Sequence, residues 1–581
     1  MKKYIFIGLA CAFALTTTTS CNQDLLNIPQ KGVIAYENFY KTDEDAESAL
    51  LSAYSKAIEL DGMNGSNTPS WNVISRAGGD ELYWGGSKKE DAITAQEINE
   101  FRPSYTNNNN HVTNVYKGLY AVIYRCNLVL DNFYGEDGSL CDTQTKKRCV
   151  AEARVLRAWA HFNLATIFYN PPLVDHVLQG DARPTNCDHD ELLKWVIEEY
   201  KTALDSKALT VRQGPNDKEG AVRLTEGACY AFLGKAQMFV NDYAGAKTSL
   251  KKVIDSGNYQ LTPTAKLGEL FHRAGDGNPE KVFEFNVVDN ENISKYSAKY
   301  HYQRNQSLYF RQMKTPLPEV AIQNVGWGNN MGPTEKFVTA MLENEPNSAR
   351  RKTWFVSYEE LITEYSYKGD KKADGTMMTK EEKLMDPNRG LELKKYNDLY
   401  CNCGYFWVKF LPLKSDLITN DSNITDENRI VMRYAEVLLL YAEACAQTGD
   451  NSGLQYLNMI QERAEAPLSQ TLTLDAVKKE KWFELAWEGQ RFYDLVRWGD
   501  AAKELAFKGT TENPYLTDEF YEYGTLGKVQ TGKPHKAVIL YKDDGWAAKG
   551  AGFKTGHNEY FPIPYDVLEL NDKLEQNPYW K

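Results

Sequence analysis

Residues 225–259 read TEGACYAFLGKAQMFVNDYAGAKTSLKKVIDSGNY, and this stretch constrains the fold more than any other. Gly234 and Ala236 fall on a first helical segment and Asp242-Tyr243 mark a turn. Ala246, Leu250 and Ile254 recur at helical spacing on a second segment. Small residues opposite large ones let two antiparallel helices approach closely and bury a shared face. A second pair spans 433–463, RYAEVLLLYAEACAQTGDNSGLQYLNMIQER, with its turn at Thr448-Gly449-Asp450. Neither pair covers its apolar surface alone, so each needs stacked helical neighbours.

Those neighbours are present. Helical spacing runs through 42–60, 111–133, 148–169 and 188–206, and Ala151, Val155, Ala158, Phe162 and Ala165 form one continuous stripe. The paired segments resemble a tetratricopeptide unit, about 34 residues long. Three stretches break the pattern. Residues 61–110, 261–428 and 507–561 are rich in Gly, Pro, Asn and aromatics, with short β-like pieces at 281–288 and 405–411. The expected fold is mainly α: a tetratricopeptide-like helical-repeat scaffold with long irregular loop insertions and minor short β-strands. The scaffold occupies roughly 42–60, 111–260 and 429–506. Long irregular stretches in a compact protein usually carry function.

The N-terminus sets the expected address. Lys2 and Lys3 precede an apolar run over residues 4–15, then Thr16 to Thr19, Ser20 and Cys21. A basic start, a short apolar core and small residues before a cut describe a secretory signal, and the run is too short to span a membrane. Cys21 directly after the small residues looks like a lipobox with Thr18 at the position where Leu is usual. Residues 1–20 are therefore expected to be a lipoprotein signal peptide and 21–581 one domain. Lipid on Cys21 would supply the two chains that stable anchoring requires; the alternative is an ordinary secreted protein with a chance Cys. Eight other cysteines, Cys11 aside, are too sparse for a disulfide framework in a chain this long.

Composition excludes some classes. A net charge of −12 argues against a general nucleic-acid binder. The 36 Tyr, 23 Phe and 12 Trp are unusually many; a large core absorbs many of them, and Tyr and Trp also suit surfaces where one end of a ring is apolar and the other wet. Signatures of chemistry are absent: there is no H-E-x-x-H, G-x-S-x-G or G-x-G-x-x-G. Residues 527–533 approximate a phosphate loop, but Pro534 replaces the hydroxyl that would ligate Mg²⁺. Cys401-Asn402-Cys403 has no second pair to complete a zinc site. Asp416, Asp421, Asp426 and Glu427 lack EF-hand spacing. The 79 acids offer many carboxylate pairs for glycoside hydrolysis, and nothing marks one as special. No catalytic residue, metal or cofactor is expected.

Residues 481–500, KWFELAWEGQRFYDLVRWGD, read as one helix. Its apolar stripe is Trp482, Leu485, Ala486, Gly489, Phe492 and Val496, and Glu488, Arg491, Asp494 and Arg497 step by three along another face. Such a ladder is expected to clip the helix to its neighbours through ion pairs.

This run, Glu484-Leu485 through Glu488-Gly489, Arg491, Asp494-Leu495 and Arg497-Trp498, resembles the signature of the SusD/RagB family of outer-membrane glycan-binding lipoproteins. Arg433 to Leu439 with Tyr441 to Ala444, Pro562-Ile563-Pro564 with Gln576-Asn577-Pro578, Arg154 with Arg157-Ala158, Tyr120 with Cys126-Asn127-Leu128, and Gly326-Trp327-Gly328 with Pro333-Thr334 match in the same order. One departure is Asn347-Ser348-Ala349-Arg350, where an acidic residue before the Arg is more usual.

The resemblance implies a non-catalytic, surface-exposed lipoprotein that captures glycans and delivers them to a partner SusC-like TonB-dependent transporter. Its helical repeats would face that transporter, its insertions would form the ligand face, and the membrane contact would run through lipid on Cys21. A peptide-capturing lid of the same fold is the first alternative and a secreted hydrolase the second. Sugar capture calls for flat aromatic faces beside a few fixed hydrogen-bonding groups. One stacked face hides on the order of 80 Å² and contributes about 2 kcal/mol before ordering costs, so binding should be weak. The expected platforms are Trp71, Tyr83 and Trp84 in the first insertion, with Arg76 and Asp80 as polar partners. In the second insertion they are Tyr302, Tyr309 and Trp327, with Asn329 and Asn330. Trp84 leads this set, as a ring whose loss would weaken binding without lowering stability.

Overall fold

The computed structural model describes residues 39–61, 70–84, 92–134, 140–286, 314–321, 331–391, 399–411, 413–417, 427–509, 513–517, 538–542 and 549–581. Its longer elements begin with α1 (Asp43–Ile58), α2 (Ser70–Arg76), β1 (Leu82–Trp84), α3 (Ile93–Asn99), α4 (Asn110–Phe133), α5 (Gln144–Phe168), α6 (His189–Asp205), α7 (Glu226–Phe239) and α8 (Tyr243–Asp255). The middle of the chain holds β2 (Lys281–Phe285), β3 (Met331–Pro333), α9 (Glu335–Asn344), α10 (Ala349–Trp354), β4 (Phe355–Ser357), α11 (Tyr358–Glu364), α12 (Lys380–Met385), β5 (Leu399–Tyr400) and β6 (Tyr405–Trp407). Then come β7 (Arg429–Arg433), α13 (Tyr434–Gln447), α14 (Leu454–Ala464), α15 (Leu474–Glu484), α16 (Arg491–Trp498), β8 (Asn513–Thr517), β9 (Val538–Lys542) and α17 (Tyr565–Leu570).

The helices stack in series, α4 on α5, α5 on α6, α6 on α7, α7 on α8 and α8 on α13, with α13 packed on α14 and α15. The two pairs read from the sequence are therefore adjacent, although the middle of the chain separates them. Lys235 reaches Glu436 at 2.7 Å and Lys247 reaches Asp450 at 3.2 Å across that junction. Side-chain caps start both helices of the first pair and the 3-10 turn that leads into α14, satisfying orphan N–H groups. Thr225 accepts from the Ala228 N–H, Asp242 from Gly245, and Asp450 from Ser452. Gly234 sits where a Cβ would lie 2.5 Å from Cγ of Leu250, so the α7–α8 approach depends on its missing side chain.

Among the described residues four small antiparallel sheets, β1–β3, β2–β7, β4–β6 and β5–β8–β9, join segments distant in the chain. One core runs through the helices and most strands. A second, smaller one (Leu317, Val320, Val356, Tyr358, Leu361, Ile362, Tyr367, Leu391, Phe406, Val408 and Leu411) lies under the middle segment. The eight described cysteines are free thiols. Among the described residues no helix is long and apolar enough to cross a membrane.

Two expectations change. Residues 481–500 are not one helix: α15 ends at Glu484, and the chain turns through Trp487 (φ 64°) and Gly489 (φ 94°) before α16 begins. The break is fastened. The Trp487 N–H donates to the Glu81 carboxylate at 2.7 Å, its indole donates to the Glu81 carbonyl at 2.9 Å, and a Cβ on Gly489 would lie 2.9 Å from the Ser75 Cβ. The first insertion is likewise no outlying loop in its described part, since α2, β1 and α3 are largely buried.

Leu250 is fully buried against Gly234. Leu250→Ala should lower the unfolding free energy by about 2–5 kcal/mol, read as a lower denaturant midpoint at unchanged slope. A loss below about 1 kcal/mol would contradict close packing of this pair.

Candidate functional site

Trp71 lies in the first turn of α2, a half-buried ring 5.9 Å from Trp159 of α5 and tilted 38° to it. The Arg429 guanidinium lies 5.1 Å from its centroid. Beneath these rings a cleft opens between α2, α5, α7, β7, α13 and α16, with about 900 Å³ of space between protein atoms, part of it continuous with solvent. Its wall carries Trp71, Trp159, Phe162, Phe239 and Tyr493 as rings and Asn72, Asn163, Thr166 and Gln490 as uncharged polar groups.

The charges on the wall are largely committed. Lys235 holds Glu436 at 2.7 Å, and Lys481 holds Asp494 at 2.7 Å and Glu443 at 3.0 Å. Glu488 meets Lys409 at 2.6 Å and Arg433 at 2.7 Å. Burial pushes the Glu488 carboxyl up, but Arg433 and Lys409 outweigh it and hold the group below its ordinary range. Asp494 is treated the same way by Lys481 and Arg497. Carboxylates held ionised by fixed cations make poor general acids at neutral pH.

Of the residues expected from sequence, the structure brings Trp71 and Arg76 to this cleft. Arg76 is nearly buried, its guanidinium 5.3 Å from the Phe410 centroid and 5.8 Å from that of Trp407. Asp80 is fully buried and pairs with Arg491 at 2.7 Å and Lys336 at 2.9 Å. Burial raises its carboxyl, the two cations lower it further, and the net shift is downward. Asp80 thus fastens the α2–β1 segment to α16 and α9. Lys508 secures the same segment from below, donating to the Ala77 and Gly79 carbonyls at 2.7 and 2.6 Å. Its burial pushes the amine down to about 7.

Trp84, the leading candidate, is corrected: its ring is fully buried in the main core, and its backbone N–H donates to Asn99 Oδ1 at 3.1 Å. Tyr83 also turns inward, edge-on to Phe507 at 6.3 Å and clustered with Cys401 and Tyr515. The reason is the β1–β3 pairing, Tyr83 opposite Gly332 and Trp84 opposite Met331, in a ribbon covered on both faces. Tyr302, Tyr309, Trp327, Asn329, Asn330 and Cys21 lie outside the described residues. Sequence reasoning missed Asn72, Asn163, Gln490 and Tyr493. Asn72 alone carried a local signal, as a polar neighbour of Trp71; the others reach the cleft from distant helices.

A tetratricopeptide-like stack of helices, strapped by short sheets and enclosing an aromatic-walled cleft, is the class that these features define. Residues 201–580 match the model of the SusD family, and residues 80–236 match a model described as "Starch-binding associating with outer membrane". The chain belongs to the SusD family. A SusD-like protein of Formosa agariphila is 24% identical over 553 residues, covering 88% of this chain and 95% of that protein. A solved laminarin-binding SusD-like protein has a TM-score of 0.65 at 21% identity, covering 93% of this chain and 100% of the other. Surface glycan-binding protein A of Bacteroides thetaiotaomicron, solved with laminarihexaose, has a TM-score of 0.66 at 19% identity, covering 92% and 100%. At these identities the likeness to the solved structures is one of fold.

Because Trp84 is core, Trp84→Ala should cost about 3–5 kcal/mol of stability. Chemical denaturation checks this; an unchanged midpoint would mean that the indole is not packed as the structure has it.

Proposed function

We propose that this chain is a cell-surface lipoprotein of the outer membrane that captures glycans without cleaving them and passes them to a TonB-dependent transporter. The observation that carries the reading is a cleft whose wall sets aromatic rings beside uncharged amides and hydroxyls and largely paired charges, held in a fold of the same family as proteins named for glycan binding. A pyranose presents C–H groups on its faces and hydroxyls at its rim, so rings beside amides and hydroxyls complement it. The pairing of Glu488 and Asp494 with cations supports binding without hydrolysis. Membrane attachment through Cys21 rests on the signal-like N-terminus, the small residues before that Cys, and the outer-membrane description of the matching model. The transporter partner follows from the family resemblance.

The test is affinity electrophoresis of the chain starting after Cys21 in gels containing starch, laminarin, xylan or mannan, with peptides titrated in parallel. Retardation by at least one polysaccharide is expected, without release of reducing ends. Trp71→Ala should weaken that binding about tenfold, about 1.4 kcal/mol, with the circular dichroism of the helices retained. Peptide binding without glycan retardation would replace the reading with the peptide-capturing one. In cells, Cys21→Ser should move the protein from the outer-membrane fraction to the soluble fraction; retention at the membrane would exclude lipid on Cys21 as the anchor.

A further inference from the structure

Asn72 stands out on the cleft wall. It is 1% exposed, and neither its side-chain nitrogen nor its side-chain oxygen has a hydrogen-bond partner. A buried amide left with both a donor and an acceptor unmet carries the full desolvation cost of each. Gln490 repeats the pattern in part: its nitrogen donates to Glu436 at 3.3 Å, while its buried oxygen is unmet. The Tyr493 hydroxyl donates to the Ile74 carbonyl at 3.0 Å, which leaves its oxygen able to accept.

We propose that this cleft is a subsite for a neutral sugar ring, with the Asn72 amide as its hydrogen-bonding centre. The proposal rests on the glycan reading for its ligand class and goes further in placing a single ring here, apart from any extended binding face. The chemistry selects among sugars. An amide sets a donating NH₂ beside an accepting carbonyl oxygen, which matches two adjacent hydroxyls, since each hydroxyl both donates and accepts. The lysines and carboxylates of the wall offer a charged sugar no comparable match. Lys235 and Glu436 already answer each other, as do Lys481 and Asp494, while Glu488 is met by Lys409 and Arg433. Arg76 and Arg429 lie over aromatic rings, Arg429 also donating to the Ala57 carbonyl at 3.1 Å. A carboxylate or phosphate that paired with Lys235 or Lys481 would have to displace the carboxylate already held there. Trp71 and Trp159 supply the apolar wall for the C–H face of the ring.

Isothermal titration of the mature protein with glucose, galactose, mannose, xylose and their β- and α-linked disaccharides, set against glucuronate and glucose 6-phosphate, tests the assignment. At least one neutral sugar should bind at millimolar affinity or better, quenching tryptophan fluorescence. Asn72→Leu should reduce that affinity at least tenfold. The same variant removes an unmet buried amide, so its Tm without sugar should equal or exceed that of the parent, which separates lost binding from lost folding. Equal affinity in parent and variant would overturn the proposal, as would a preference for the charged sugars. If polysaccharides retard the parent in gels while no small neutral sugar binds, the subsite fails and glycan capture stands. If neither binds, both fail.

Discussion

At the centre of the molecule a set of carboxylates and guanidinium groups has been taken out of water together. Glu484 accepts from Arg433 at 2.6 Å, Arg463 at 2.5 Å and Arg350 at 3.1 Å. Glu280 bridges Arg433 at 2.7 Å and Arg463 at 3.0 Å, while Arg350 also pairs with Glu345 at 2.7 Å and with Glu480. Lys409 joins through Glu488. Removing one member of such a set strands a buried charge and costs about 3–5 kcal/mol. The titrations follow from the geometry. Glu484, against several cations, is held far below its ordinary range despite its burial, whereas burial leaves Glu480 above it. Burial also pushes Lys409 down to about 8. The set ties the β2–β7 ribbon, through Arg433 and through Glu280 just before β2, to α10, α14 and α15.

The cleft depends on this anchorage. Glu484 is the last residue of α15, and the break that follows carries Glu488, Gly489 and Gln490 to the cleft wall. Arg433 grips both the Glu484 carbonyl and the Glu488 carboxylate, so the turn is fixed at both ends. From the other side Glu81 accepts from the Trp487 backbone and indole, and burial raises its carboxyl to about 8. A wall built this way needs little ordering on binding, which removes one of the costs that reduce affinity.

The helical pairs were legible because their signals are local: small residues at helical spacing, and an Asp at each turn, Asp242 capping α8 and Asp450 the 3-10 turn before α14. The charged residues at 488–497 were legible as ion-pair formers but not in their partners. Only Asp494 and Arg497 meet within the helix, at 2.8 Å, while Arg491 reaches back to Asp80 and Arg497 across to Glu443. Trp84 misled for a related reason. Glycines and aromatics at 78–86 read as an exposed loop, and nothing nearby announces that residues 331–333 will pair there and close the ribbon. The cleft was least legible. Trp71 and Arg76 were singled out, but Asn163, Gln490 and Tyr493 converge only through long-range packing.

The departure at Asn347-Ser348 shows how the centre tolerates substitution. An acid just before Arg350 would be one way to neutralise that guanidinium, and here the task falls to Glu345, which accepts from its Nε at 2.9 Å and its Nη2 at 2.7 Å. Ser348 is thereby released to start α10, accepting from the Arg351 N–H at 2.9 Å while its own hydroxyl donates to Glu345 at 3.1 Å. Charge balance and helix capping are conditions on the local set rather than on any one position. A motif can therefore lose a residue while the buried lattice, and the cleft it braces, keep their geometry.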